Sequence, residues 1–289
     1  MIRGYRGATL GLLSDELVLD EQVTDDVYGT DLSSVPRGDG VRALEMTDRW
    51  NTPAGRPNGG YILAAMLTGL AAHLDLPAGT GPRVASITYH GPPSNGPAEI
   101  VCATVKVGRQ IQTGDARLTQ DGRLIAQLTA SFGRRSGDRP SLELATPPDL
   151  PDADSLPDPR EAGMPGGGIF DRVDYRLTAA PGFTLGAPSG DPVYELWQRR
   201  SDGRVPDYAT LAFFCDSFIP PVFELGPDVA TASLTVQLTV HFHRLPSSPW
   251  IATRLQTRHV VDGFHEEDCE LWDADGHLLA QSRQLAILV

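Results

Sequence analysis

Hydrophobic and polar positions follow a helical pattern in some segments of this chain and the alternation of a strand in others. Both patterns occur in each half. The segment "GGYILAAMLTGLAAHL" is apolar on every side, which predicts a buried helix. It is followed by "ASITYHG", "EIVCATVKVGRQIQTGDARLTQ" and "LIAQLTASFG", whose alternation predicts antiparallel strands. In the second half, "DYATLAFFCDSF" predicts another apolar helix, again followed by strands. One helix followed by a run of strands predicts an α+β unit whose sheet packs on that helix.

The two halves also match each other at a nearly fixed spacing. Asp121-Gly122 and Asp275-Gly276 each lie between two strand patterns and predict tight hairpins, 154 residues apart. The stretch "SITYHGPP" matches "TVHFHRLP" at almost the same offset. A repeat of about 150 residues indicates a duplicated domain. We therefore expect two copies side by side as a pseudo-dimer, with clefts where they meet.

A change of composition separates the two copies. Residues 134–168 are rich in proline, acidic residues and glycine and have little to bury, so they predict a linker or a strap across the surface. The predicted domains are therefore residues 1–133 and residues 169–289.

Composition and charge narrow the class of protein. A net charge of −13 over 289 residues does not favour binding to nucleic acid or to anionic membranes. No apolar run approaches the ~20 residues that a membrane span needs, and the start of the chain lacks the pattern of a signal peptide. We expect a cytoplasmic protein. Three cysteines without close spacing argue against disulfides or a metal motif and predict buried thiols: Cys102, Cys215 and Cys269.

One carboxylate lies where local physics disfavours it. Asp207 is a good cap, and two prolines follow Ile219, so a helix is predicted from Tyr208 to near Ile219. Asp216 would then lie in the last turn, on an apolar face, where the helix dipole opposes an anion. Such a residue indicates function. A cap for a second short helix, or an ion pair with an arginine, remains the alternative.

Several segments, taken in order, resemble the acyl-CoA thioesterase II family. They are "RPNGGYILAAM", "VGRQIQTGDARLTQDGRLIAQLTASF", "VYELWQRRSDGRVPD" with "YATLAFFCDSFIPPV", and "SLTVQLTVHFHR". The resemblance covers nearly the whole chain. It implies a double hot-dog fold, in which two antiparallel sheets each wrap around one long helix. The implied activity is hydrolysis of acyl-CoA, with no cofactor, and the implied assembly is a homodimer or tetramer.

The resemblance also implies a site in which an Asp, a Thr and a Gln position the hydrolytic water. Matched residue by residue, these are Asp216, Thr235 and Gln284, with Gln281 as the alternative amide. At the repeat offset Gln284 corresponds to Ala130, so only the second half is expected to carry a site.

The entry to the first helix is the expected substrate-binding segment. In "RPNGGY", Asn58 is a plausible cap, and Gly59 and Gly60 let the backbone approach a ligand closely. The N–H groups at a helix start can bind a developing oxyanion. In related hot-dog enzymes the corresponding glycine turn faces the substrate, so the resemblance implies thioester or oxyanion binding for these three residues. A simple capped helix start is the alternative.

Other chemistries have weaker support in the sequence. There is no G-x-S-x-G motif and no P-loop. His241 and His243 share a strand face but lack a third ligand at motif spacing, and "HEEDCE" (residues 265–270) reads as a solvated strand face, so no metal is expected. A double hot-dog hydratase would need a histidine where Pro221 stands. A non-catalytic protein that binds acyl-CoA or an acyl carrier on the same fold is the remaining alternative.

Overall fold

The computed structural model of the chain describes residues 26–135 and 142–289. Its helices are α1 (Val27–Leu32), α2 (Gly59–His73) and α3 (Tyr208–Phe214). The strands of the first half are β1 (Val35–Gly38), β2 (Val41–Met46), β3 (Thr80–Tyr89), β4 (Gly96–Val107), β5 (Ile111–Gln120) and β6 (Arg123–Arg134). Those of the second half are β7 (Val173–Arg176), β8 (Val193–Arg200), β9 (Ser233–Phe242), β10 (Ile251–Gln256), β11 (Val260–Val261), β12 (Phe264–Trp272) and β13 (Leu278–Leu288).

All of these strands belong to one antiparallel sheet. Its order is β1-β2-β4-β5-β6-β3-β9-β13-β12-β10-β8-β7, with β11 paired to β12. The strands of the first half occupy one side and those of the second half the other, and they join where β3 pairs with β9. The antiparallel sheets expected for the two halves are therefore joined edge to edge into one continuous sheet.

The pairing of β3 with β9 brings together the two segments that match in sequence. Ser86 is paired with Thr239, its counterpart at an offset of 153, and their hydroxyls are 2.8 Å apart. Val84 correspondingly faces His241 in the same register. The repeated segments therefore meet edge to edge, related by a local two-fold pairing.

Helix α2 is the buried helix that the apolar pattern predicts. The Asn58 side chain caps it by accepting a hydrogen bond from the Tyr61 N–H at 3.0 Å. Most of its residues are buried, which is what a helix apolar on every side requires. Its side chains pack against β4, β5 and β6.

Helix α3 starts where predicted but is shorter than expected. Asp207 caps it through a hydrogen bond from the Thr210 N–H at 2.8 Å. The helix starts at Tyr208 and ends at Phe214, seven residues in all, and does not continue to Ile219.

Side chains from neighbouring strands bind the groups that follow this helix. The Tyr175 hydroxyl donates to the Ser217 carbonyl at 2.7 Å. The Gln198 amide donates to the Phe214 carbonyl at 3.3 Å and accepts from the Ser217 hydroxyl at 2.8 Å. Because these bonds replace helical ones, the chain can leave the helix here. Asp216 consequently lies in the turn after α3, not in its last turn.

The two hairpins predicted from Asp-Gly pairs are present. Asp121 and Gly122 both have positive φ, 50° and 74°, in the turn between β5 and β6. Gly276 has a φ of 80° in the turn between β12 and β13. Positive φ at these positions is the reason for the glycine in each pair.

The described part of the proline-rich segment is a strap across the outer face of β8 and β10. The Trp197 indole donates to the Pro151 carbonyl at 2.8 Å, and Arg254 donates to the Thr146 carbonyl at 3.1 Å. Pro159 and Met164, which belong to this segment, are buried. The sequence left a linker or a surface strap as alternatives for this segment, and residues 142–168 form a strap.

No helix within the described ranges is long and apolar enough to cross a membrane.

The burial of α2 leads to a stability prediction. Leu63 is fully buried, so Leu63→Ala should lower the free energy of unfolding by about 2–5 kcal/mol, through lost transfer energy and a cavity. Leu144→Ala, on the strap and 86% exposed, should change it by less than about 0.5 kcal/mol. Urea denaturation of both variants measures the difference, and equal effects would contradict the central role of this helix.

Candidate active site

A cavity of about 780 Å³ opens where the start of α2, the turn after α3, and strands β9 and β13 converge. Its wall is largely apolar, built from proline, isoleucine, leucine and phenylalanine side chains. A few polar groups converge in this wall. Those predicted from the sequence are Asn58, Gly59, Asp216, Thr235 and Gln284. An apolar cavity with a few convergent polar groups is typical of a small-molecule site.

The start of α2 holds the Asp216 carboxylate. The Gly60 N–H donates to Asp216 Oδ2 at 2.7 Å, and the Asn58 amide donates to the same oxygen at 3.2 Å. The Asn58 amide also donates to the Asp216 carbonyl at 2.8 Å. Both hydrogen bonds to the Asp216 carboxylate end on Oδ2, and no described residue donates to Oδ1. The carboxylate is therefore bound as an anion at a helix N-terminus, and its second oxygen, Oδ1, is available to another donor.

The two glycines permit this close approach. A Cβ added to Gly60 would lie 2.7 Å from the Phe213 carbonyl oxygen and 3.0 Å from the Asp216 Cβ. A Cβ added to Gly59 would lie 2.8 Å from Asp216 Oδ2 and 3.1 Å from the Tyr89 hydroxyl. Positions 59 and 60 therefore require glycine because this part of the first half contacts Asp216 of the second half.

The same contact corrects one expected role. The Gly60 N–H donates to a protein carboxylate and not to a substrate oxygen, and Gly60 is absent from the cavity wall. Gly59 does line the cavity, and its N–H has no partner among the described residues. Of the two glycines, Gly59 is the one placed to bind a ligand.

Tyr89 is a site residue that the sequence analysis missed. Its hydroxyl donates to the Gly59 carbonyl at 2.7 Å, and it lines the cavity beside Asp216. Burial, together with the nearby Asp216 charge, raises the pKa of Tyr89 well above its usual value. Nothing in "SITYHG" distinguishes this tyrosine from any strand residue, so only the fold reveals it.

The environment of Asp216 moves its pKa toward neutrality. Desolvation raises the pKa to about 6, and the hydrogen bonds from Gly60 and Asn58 partly oppose that rise. A carboxylate with such a pKa is ionised at neutral pH and is still able to accept a proton. These properties suit a general base.

Thr235 and Gln284 lie together in the wall of the same cavity. The Thr235 hydroxyl donates to Gln284 Oε1 at 2.9 Å, from β9 to the neighbouring strand β13. Gln284 is buried, only 3% exposed, whereas Gln281 lies exposed on the other face of β13. Since residues three apart on a strand face opposite sides, only Gln284 reaches the cavity.

The interpretation of "HEEDCE" as a solvated face is wrong for half of its residues. In β12, His265, Glu267 and Cys269 point inward and are buried, while the residues between them lie on the outer face. Glu267 pairs with Gln284 across the two strands. Alternation alone could not tell which set of residues faces the core, because both sets are polar.

The three cysteines are free and buried, as predicted.

Comparisons with known proteins identify the family of the chain. Residues 46–133 match the acyl-CoA thioesterase N-terminal domain, and residues 147–288 match the acyl-CoA thioesterase C-terminal domain. The chain belongs to the acyl-CoA thioesterase II family. It is therefore a thioesterase-family chain with a hot-dog fold.

Individual relatives are distant but cover most of the chain. An uncharacterized protein of Mycobacterium tuberculosis is 27% identical over 231 residues, which is 72% of this chain and 76% of that protein. The structure of a thioesterase II candidate from Thermobifida fusca has a TM-score of 0.80 and 26% identity, covering 91% of this chain and 97% of that one. A hot-dog protein of unknown function from Alicyclobacillus acidocaldarius has the same TM-score and coverage at 24% identity, which supports the fold.

The packing of Gly60 generates a second prediction. Gly60→Ala should displace the turn that carries Asp216, because the new Cβ meets backbone and not a flexible side chain. We expect a loss of about 1–3 kcal/mol in unfolding free energy and reduced activity. Gly166→Ala is the control, since the nearest atom to its Cβ would be 3.6 Å away. Normal stability and activity of Gly60→Ala would contradict the close approach.

Proposed function

We propose that this protein hydrolyses acyl-CoA thioesters to a free acid and CoA, with water activated at Asp216, Thr235 and Gln284. The observation that carries the proposal is the Asp216 carboxylate, held at the start of α2 inside an apolar cavity, with its pKa raised to about 6. The proposal also rests on the family, whose members are thioesterases.

The hydrogen-bond directions in the site suit a single orientation of water. Because Thr235 donates its proton to Gln284 Oε1, the Thr235 oxygen is left as an acceptor, while the Gln284 amide nitrogen is a donor. A water molecule can then donate to Asp216 Oδ1 and to Thr235, and accept from Gln284. Its remaining lone pair is free to attack a carbonyl carbon.

The chemical steps balance without a cofactor. The water oxygen forms a bond to the thioester carbon as Asp216 takes its proton. The carbonyl oxygen becomes an oxyanion, for which the Gly59 N–H at the helix start is the proposed donor. The C–S bond then breaks, and Asp216 returns the proton to the departing CoA thiolate.

The cavity wall favours an apolar acyl group. Its large apolar lining residues are Phe170, Phe183, Phe218, Ile219 and Phe223. Phe183 and Phe223 stack with ring centroids 4.8 Å apart. A hydrocarbon chain placed against these rings would leave water, which stabilises binding by about 0.8 kcal/mol per buried CH₂.

We further propose that the two halves form a double hot-dog pseudo-dimer. The pairing of Ser86 with Thr239, between segments that match in sequence, supports this arrangement. Of the two halves, only the second supplies an Asp, a Thr and a Gln, so we expect one active site per chain.

The first experiment measures CoA thiol release from acyl-CoAs of graded chain length. Asp216→Asn should lower kcat by at least about a hundredfold, because the base is lost while the shape is kept. Asp121→Asn, in the turn between β5 and β6, is the matched control and should retain activity. Binding of acyl-CoA by the wild type without turnover would favour the non-catalytic binding protein instead.

The raised pKa of Asp216 predicts the pH dependence. The wild-type kcat should fall as the pH drops below about 6, where the carboxylate becomes protonated and can no longer accept a proton. A profile that stays flat down to pH 4.5 would contradict Asp216 as the base.

The same shift makes a prediction for stability. A folded pKa above the unfolded value means that the folded state binds the proton more tightly, so the contribution of Asp216 to stability declines as the pH rises from about 4 to 6. At pH 7.5, Asp216→Asn should therefore be at least as stable as the wild type, gaining up to about 3 kcal/mol. Thermal unfolding at pH 7.5 measures the sign, and a clear loss would contradict it.

A further inference from the structure

A buried carboxyl that the proposed chemistry does not use lies directly behind the water-binding amide. Glu267 is 4% exposed and is the cross-strand partner of Gln284 on the inward face of β12 and β13. Its Oε2 is buried and has no hydrogen-bond partner among the described residues. Among the described residues no basic side chain forms an ion pair with Glu267, so the buried carboxyl is costly unless it is protonated.

The surroundings of Glu267 favour the neutral acid. Desolvation and the nearby Asp216 raise its pKa well above the usual value, and a hydrogen bond from Gln284 opposes that rise. The other titratable groups that act on it or feel its charge are Asp268, Cys215, Cys269 and Tyr194. None of these groups is basic, so none would stabilise an ionised Glu267.

The equivalent pair of positions in the first half of the sheet carries no polar side chain. Glu267 pairs with Gln284 in the register in which Gly114 pairs with Ala130. At Gly114 an added Cβ would lie 2.9 Å from Leu70 Cδ1, so apolar core fills that space. The same position therefore packs as ordinary core in one half, and the carboxyl in the other half is not a requirement of the fold.

We propose that Glu267 is a positioning residue that fixes the orientation of the Gln284 amide. It does so as the outer member of a chain of hydrogen-bonding side chains that runs from Thr235 through Gln284 to Glu267. With Oε1 held by Thr235 and one amide proton held by Glu267, the other amide proton points into the cavity. This role rests on the proposed hydrolytic function and deepens it, because it assigns what sets the direction of the donor to water.

The test compares two replacements of similar size, assayed on the acyl-CoA that the wild type hydrolyses fastest. Glu267→Met removes the acceptor and should lower kcat at least tenfold while KM changes less than twofold. Glu267→Gln keeps an acceptor carbonyl and should stay within threefold of the wild type. Leu271→Val, a conservative change at a buried residue on the same strand face, is the control for loosened packing and should retain kcat.

The pH profile separates positioning from a charge effect. If Glu267 is neutral in the active enzyme, the acid limb assigned to Asp216 should stay at the same pH in Glu267→Gln. A limb that moves to lower pH in this variant would show that Glu267 carries a charge, and would overturn the positioning role. Wild-type kcat in Glu267→Met, or equal damage from Met and Gln, would overturn it as well.

A stability cycle tests the Glu267–Gln284 contact without using activity. The melting temperatures of Glu267→Met, Gln284→Met and the double variant report whether the two side chains interact. We expect Glu267→Met to lower the melting temperature of the wild type. In the Gln284→Met background the same change should lower the melting temperature by at least about 3 °C less. Additive losses would overturn the inference. A wild type without thioesterase activity would refute the proposed function alone, and the cycle would still decide the contact.

Discussion

The hydrogen bond from the Gly60 N–H to the Asp216 carboxylate is the contact on which the site depends. It joins residues 156 positions apart, one at the start of the long helix of the first half and one in the turn after the short helix of the second. The carboxylate can approach only because positions 59 and 60 lack side chains. Asn58 completes the contact, since its oxygen caps α2 while its nitrogen binds the Asp216 turn. The same residue thus caps the helix and holds the turn that carries the proposed base.

The reactivity of Asp216 follows from a balance of opposing effects on its pKa. Desolvation by the apolar wall raises the pKa, and two hydrogen bonds with the positive end of α2 lower it. More donors would lower the pKa and make the carboxylate a weaker base, whereas fewer donors would raise the pKa further. Tyr89 donates to the Gly59 carbonyl and not to the carboxylate, so it shapes the helix start without adding a further donor. Both donors bind Oδ2, which leaves Oδ1 to accept the water proton in the proposed mechanism.

The sequence predicted much of this fold because the signals were local. Apolar periodicity and the caps Asn58 and Asp207 located the starts of α2 and α3, and Asp-Gly pairs located two hairpins. The end of α3 escaped prediction because the groups that terminate it, Tyr175 and Gln198, come from strands earlier in the chain. The joining of the two halves into one sheet likewise depends on pairing between distant segments.

The candidate site was predictable only where the resemblance or a local conflict marked a residue. Asp216 stood out because a carboxylate on an apolar helix face is costly, although its true place is the turn after the helix. Glu267 stood in a run of alternating polar residues, so its burial was invisible without knowing which strand face points inward. Tyr89 gave no signal, and the role expected of Gly60 changed because a protein carboxylate already occupies its N–H.

The two halves differ both in the length of their helix and in the residue at the position of Glu267. Helix α2 has 15 residues, and its later turns bring Leu70 and Leu74 against Gly114. Helix α3 has seven residues and ends before the turn that carries Asp216, and Glu267, the cross-strand partner of Gln284, is buried in this half. The first half thus combines a long helix with apolar core against Gly114, whereas the second half combines a short helix with a buried acid.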